Sequence, residues 1–304
     1  MSARRERPLN VYFAWTLRIA IITSLLLLAT YLTTKHQNKN FFDKDRAYQD
    51  IVYQLSLGPR VIGSSAHAQF IEWATGELNN AGWETHLQTY EWAGEQLTNI
   101  IATRNPTSTT NSWILLGAHY DSRLIADHDP DIGRQQLSVP GANDGASGVA
   151  VLLEIARSLP KGINKNVRIV LFDAEDNGGI PGWEWIIGSR VFVSQLITLP
   201  EAVVIIDMVG DTDLNIYMER NSDDHLANQI WDVADDLGYH QFISEYKYQI
   251  LDDHTPFIQA GIPAVDIIDF DYPYWHTTQD TLDKISPDSL DAVGEVILAW
   301  LKGY

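Results

Sequence analysis

Residues 113–122 read Trp113-Ile114-Leu115-Leu116-Gly117-Ala118-His119-Tyr120-Asp121-Ser122. A short, continuous apolar run passes directly into His and Asp. A run this brief suits a strand buried on both faces, with its polar residues at the strand end. The same figure recurs downstream. Residues 167–172, apolar except for Arg168, lead to Glu175-Asp176, residues 203–206 lead to Asp207, and residues 264–268, apolar except for Asp266, form a fourth such run. Between them lie amphipathic helical patterns over residues 146–159, 225–237 and 287–301. In the last, Ser286 stands at the N-cap and Pro287 at the first helical position. Strands alternating with helices predict an α/β fold: a mostly parallel, mixed central sheet with helices on both faces. Upstream, residues 45–57 and 65–81 read as helices, and 85–92 and 97–103 as two further strands.

The chain has 304 residues, of which 45% are hydrophobic, enough for one domain with a sizeable core. Its formal net charge is −19, which argues against nucleic acid as a partner, since phosphate recognition needs Lys and Arg. An acidic surface is mildly compatible with a substrate carrying a free amine, and equally with simple solubility. There is no cysteine, which excludes disulfides, thiolate metal sites and a cysteine nucleophile. Any metal must be held by His, Asp and Glu.

Arg4, Arg5 and Arg7 precede an apolar stretch at residues 11–32, interrupted by Arg18. Its length is that of a membrane-spanning helix. The expected organisation is a cytoplasmic segment 1–10, a signal anchor 11–32, a polar linker 33–44 and a catalytic domain 45–304 outside the cytoplasm. Lys35, Lys39 and Lys44 follow the span and weaken the charge bias.

Several groups could carry chemistry. His119 and Asp121 share a strand face, so His119 could bind a metal while Asp121 braces its other ring nitrogen. A hydrogen-bonded His at a strand end is the alternative. Asp144 sits among small residues in Gly141-Ala142-Asn143-Asp144-Gly145-Ala146-Ser147-Gly148. It could be a ligand or an ordinary helix N-cap. No Lys follows these glycines, so the phosphate-loop pattern fails. Glu175 and Asp176 repel each other, and a cation would account for both: one ligates while the other serves as a base. A solvated loop is the alternative. A lone Asp207 after apolar residues is costly unless paired. Asp252-Asp253-His254 and Asp266 read as a ligand-side network or as a hydrogen-bonded scaffold. Trp275, beside His276, walls a pocket or belongs to the core. His nitrogen and carboxylate oxygen together suit zinc.

Five motifs, in this order and spacing, resemble a zinc-dependent exopeptidase family. They are Gly117–Arg123, Gly141–Gly148, Phe172-Asp173-Ala174-Glu175-Asp176, Ile206-Asp207-Met208-Val209-Gly210 and Tyr274-Trp275-His276-Thr277. The family contains co-catalytic zinc aminopeptidases and animal-type glutaminyl cyclases. The resemblance covers roughly residues 45–304 and implies an enzyme acting on peptide or protein N-termini. In its aminopeptidase form it implies two zinc ions bridged by Asp144, with His119 and Asp207 on one, Asp176 and His276 on the other, and Glu175 as base. In its cyclase form it implies one zinc on Asp144, Asp176 and His276. Glu175 then moves the proton, Asp207 holds the amide nitrogen, and Asp252 and Asp266 form an acidic network. Trp275, the Asp252–Phe257 segment, and Trp183 or Trp185 ahead of Gly188-Ser189-Arg190 resemble bacterial cyclases, with Trp183 taken as the pocket residue. Asp176 departs from the Glu of animal cyclases, a shorter arm that could admit a second ion. A catalytically silent binding ectodomain is the remaining alternative, which intact Glu175 and intact ligands oppose.

Overall fold

The computed structural model describes residues 42–104, 112–160, 163 and 166–303. They belong to a compact unit that begins at Phe42. The expected span 11–32 and nearly all of the linker lie outside the described residues. Among the described residues no helix is long and apolar enough to cross a membrane. Lys44, placed in the linker by the sequence, already belongs to the first helix, which Asp43 caps by accepting from the Arg46 N–H.

In chain order the elements are α1 (Lys44–Ser56), α2 (Ser65–Asn80), β1 (Glu84–Trp92), β2 (Glu95–Thr103), β3 (Trp113–His119), α3 (Ala146–Ser158), β4 (Asn166–Phe172), α4 (Ile187–Ser194), β5 (Ala202–Asp207), β6 (Ile216–Met218), α5 (Asp224–Leu237), β7 (Phe242–Tyr246), α6 (Thr255–Gln259), β8 (Ala264–Ile268) and α7 (Pro287–Leu301). Six strands form one sheet in the order β1-β2-β4-β3-β5-β8. β4, β3, β5 and β8 run parallel, while β2 joins β4 antiparallel and β1 joins β2 as a hairpin. The expected mixed, mostly parallel sheet is therefore present. Trp92 pairs with Glu95, so Ala93-Gly94 alone make the hairpin turn. Both have positive φ, 51° and 85°, which matches the twist of the flanking strands.

Successive residues of a strand point to opposite faces. Ile114, Leu116 and Ala118 pack with the helical layer that includes α1, α2, α3, α5 and α7. Trp113 and Leu115 point the other way, with Val170, Phe172, Val203 and Ile205, onto Phe192 of α4 and Phe257 of α6. One face thus carries the long helices and the other two short ones. The sequence reading missed α4, α6, β6 and β7. Three of these, β6, β7 and α6, have only three, five and five residues, too few for a period to register. α4 begins after Ile186 in left-handed conformation, with no capping side chain to announce it.

Candidate metal centre

The four parallel strands point their carboxyl ends to one edge, the usual ligand edge of such a sheet. β3 delivers His119 as its last residue and β5 delivers Asp207. After β4 the chain turns at Ala174, with φ of 59°, and presents Glu175 and Asp176. The Asp121 carboxylate accepts the N–H of Glu175 at 3.0 Å and of Asp176 at 3.2 Å. Its nearer oxygen lies 3.5 Å from Nδ1 of His119, too far for a good hydrogen bond. Asp121 therefore fixes the Glu175-Asp176 loop and faces, just beyond hydrogen-bond distance, the ring nitrogen of His119 that it was expected to brace. Asp144 precedes α3, whose N-cap is Gly145 without a side-chain bond, so the N-cap alternative falls. The N–H groups of Asn143 and Asp144 donate to Asp280, at 2.8 and 3.2 Å, which also accepts the Tyr272 hydroxyl at 2.7 Å. His276 lies beyond β8 with φ of 56°.

Two triads result, and they share Asp144. In the first, Nε2 of His119 lies 3.0 Å from Oδ1 of Asp144 and 3.1 Å from Oδ1 of Asp207. In the second, Nε2 of His276 lies 2.8 Å from Oδ1 of Asp176 and 3.8 Å from Oδ2 of Asp144. The ligating atoms of each triad lie within 4.8 Å of one another. All five residues are buried. Oδ2 of Asp144, the oxygen that faces the second triad, and Oδ2 of Asp176 have no hydrogen-bond partner. Buried carboxylate oxygens without partners are expensive, and a cation on the second triad removes that cost.

The electrostatics agree. Burial, with repulsion from neighbouring acids, pushes the Glu175 and Asp176 carboxyls well above the ordinary range. Burial pushes Asp207 up to about 7 against the pull of His119. It also raises Asp252, Asp253 and Asp266. Burial drives His276 down to about 4, the neutral form that a metal needs. Burial would lower His119 too, but Asp207, Asp121 and Asp144 outweigh it and raise it. Asp144 is held below the ordinary range because its bond to His119 outweighs burial.

A cavity of about 200 Å³ opens onto these groups. It is smaller than the roughly 300–1,000 Å³ pockets of drug-sized ligands and suits one terminal residue. Asp144, Glu175, Asp176, Asp207, Asp252, Trp275 and His276 line it, as expected. Trp183 does not. It packs with Leu97, Ala174 and Ile187 in a separate apolar cluster. Trp185 takes its place, stacked on His276 at 5.9 Å and 9°. Asp266 is not on the wall either. It is fully buried, 3.6 Å from Nδ1 of His254, whose Nε2 lies 3.3 Å from Glu219. Phe270, Met208 and the wall segment Gln249-Ile250-Leu251 were missed. Phe270 directly follows the acid after β8, a position that could have been suspected. Gln249 to Leu251 lie in irregular chain and carry no periodic signal.

This edge of acids and His on an α/β sheet places the chain among metal-dependent enzymes. Residues 99–301 match peptidase family M28, and the chain belongs to that family. The resemblance carried by the motifs is thus borne out. Among solved structures, Tannerella forsythia glutaminyl cyclase is 34% identical, with 86% of this chain and 99% of that one covered and a TM-score of 0.81. A Zn-dependent exopeptidase from Parabacteroides distasonis is 31% identical over 86% of this chain and 99% of that one, with a TM-score of 0.81. Aminopeptidase YwaD of Bacillus subtilis (strain 168) is 28% identical over 71% of this chain but only 46% of its own length, so the chain spans about half of that relative.

Proposed function

We propose that the protein is a zinc-dependent glutaminyl-peptide cyclotransferase, converting an N-terminal Gln to pyroglutamate with release of ammonia. Its likeness to solved glutaminyl cyclases at 30–34% identity supports this reading. The observation that carries it is how the acids around the cavity divide. On the cavity wall, Oδ2 of Asp144, which faces His276, and Oδ2 of Asp176 are buried carboxylate oxygens without partners; Asp253 and Asp266, which do not line the cavity, have others. Asp207 is engaged by His119 and shares the cavity with Glu175 and Asp252. That distribution fits one metal, with Glu175, Asp207 and Asp252 on the wall for proton work.

When bound, zinc supplies a Lewis acid for the γ-carboxamide carbonyl. The chain's own residues do the rest. The cavity holds the glutamine side chain folded toward its own α-amine, which makes attack effectively unimolecular. The α-nitrogen bonds to the side-chain carboxamide carbon, Cδ, closing a five-membered ring, and the bond from that carbon to the amide nitrogen breaks. Glu175 takes a proton from the α-amine and passes it to the departing nitrogen, which leaves as ammonia. Asp207 and Asp252 hold that nitrogen by accepting its hydrogens. No water is consumed, and the aromatic walls Trp185, Phe270 and Trp275 keep solvent from competing.

Glu175→Gln and Asp252→Asn test this reading. Each should retain zinc yet lower pyroglutamate formation by a factor on the order of 10² to 10⁴. Full activity in either would remove that residue from the mechanism. The second reading, a two-zinc aminopeptidase, is favoured by one observation: Asp144 presents Oδ1 to one triad and Oδ2 to the other.

A further inference from the structure

We infer that Arg123, acting through Asp127, is a positioning residue for the metal ligand His276 and for the loop that carries Asp176. The inference rests on the metal centre and not on the choice between cyclase and aminopeptidase. Arg123 is 3% exposed, and its guanidinium is used on every side. Nε and Nη2 donate to the two oxygens of Asp127 at 2.7 and 2.6 Å, a fork that only Arg can make. Nη1 donates to the backbone carbonyls of Asp176 at 2.6 Å and Gly178 at 3.2 Å. The guanidinium also lies 4.9 Å from the Trp185 ring, whose plane is nearly parallel to that of His276.

Asp127 completes the arrangement. Its Oδ1 lies 3.7 Å from Nδ1 of His276. That nitrogen is buried and has no hydrogen-bond partner. A His that gives Nε2 to a metal carries its proton on Nδ1, and such an N–H ordinarily reaches a carboxylate or carbonyl. Closing the gap to hydrogen-bond distance takes a shift of roughly 0.7 Å. Arg123 thereby aims Asp127 at one ligand and grips the backbone of the other. Asp127 in turn neutralises a buried cation that would otherwise repel the metal. Asp127, His128 and His276 also lie close enough to form a metal triad of their own. A metal there would leave His276 with an ion on each ring nitrogen, so the positioning role is the stronger reading.

The test is zinc affinity by chelator competition on the full chain, alongside the unfolding temperature of the metal-free protein. Asp127→Asn and Arg123→Lys should each weaken zinc binding about 10- to 100-fold. Asp127→Glu, which keeps the charge, should recover most of it. A merely structural pair would lower the metal-free unfolding temperature and leave the zinc affinity of the folded protein unchanged. That result in either Asp127→Asn or Arg123→Lys would overturn the inference. Failure of the cyclase reading would show instead in the wild-type peptide assay and leave these affinities standing.

Discussion

Single residues at this centre adopt conformations that ordinary chain avoids. Ala174, Met208 and His276 have φ of 59°, 46° and 56°, and each adjoins or is a candidate ligand or base. Left-handed backbone at non-glycine residues persists where surrounding contacts over-determine it, as the Asp121 clamp does for Glu175 and Asp176. Burial of so many acids has a pH consequence for the metal-free protein. Burial first of all raises Asp207, Asp269 and Asp280 from 3.8 to about 7. Raised carboxyls give stability that is full below the ordinary value and lost as pH rises through the folded one. His276, lowered to about 4, pulls the other way below its ordinary 6.5, but the three acids outweigh it. Metal-free protein should therefore unfold at a lower temperature at pH 8 than at pH 5, read by thermal denaturation. Added zinc, which binds the ionised acids, should raise that temperature more at pH 8. A flat profile, or the reverse, would contradict this account of the buried acids.

At the scale of elements, close approach of helix to sheet sets the position of Asp144. A Cβ on Gly148 of α3 would lie 2.1 Å from the Ile206 carbonyl and 3.1 Å from Cβ of Ala118. Next to it, the Ser147 hydroxyl accepts the Val209 N–H at 3.0 Å, tying α3 to the chain just past β5. Gly148→Ala should push α3 off the sheet at a cost of about 1–3 kcal/mol. Gly76 of α2 has open space where its Cβ would be, so Gly76→Ala should be neutral or slightly stabilising. Equal unfolding temperatures for the two variants would refute this reading of the packing. The central strands were legible because each is a short, largely apolar run leading to a His or an acid, while Asp144 and His276, which lie in loops, were singled out by the motifs around them. Trp183 and Trp185 were not separable, because they share one irregular segment and only the fold turns Trp185 toward His276. The tie from Arg123 to Asp127 and Asp176 was not legible either, since its partners come from two separate loops.

The catalytic unit gathers its candidate ligands along the carboxyl edge of one parallel set of strands, so chemistry depends on loops while the sheet fixes their spacing. Its formal charge of −19 favours approach of a protonated peptide N-terminus. We further propose that residues 11–32 anchor the chain with the catalytic unit outside the cytoplasm, a reading supported by the three leading arginines and the length of the apolar stretch. The full chain should then stay with the membrane after an alkaline carbonate wash, and protease added to intact cells should reach the catalytic unit. Release into the wash, or full protection, would remove the anchor or its orientation.

The central claim is the reaction at the peptide N-terminus. The most direct test incubates the zinc-loaded full chain with two peptides, one beginning with Gln and one with Leu, followed by mass spectrometry. The account predicts loss of ammonia from the Gln peptide while the Leu peptide stays intact. Removal of the terminal Leu, with no pyroglutamate formed, would contradict it and establish the two-metal aminopeptidase instead.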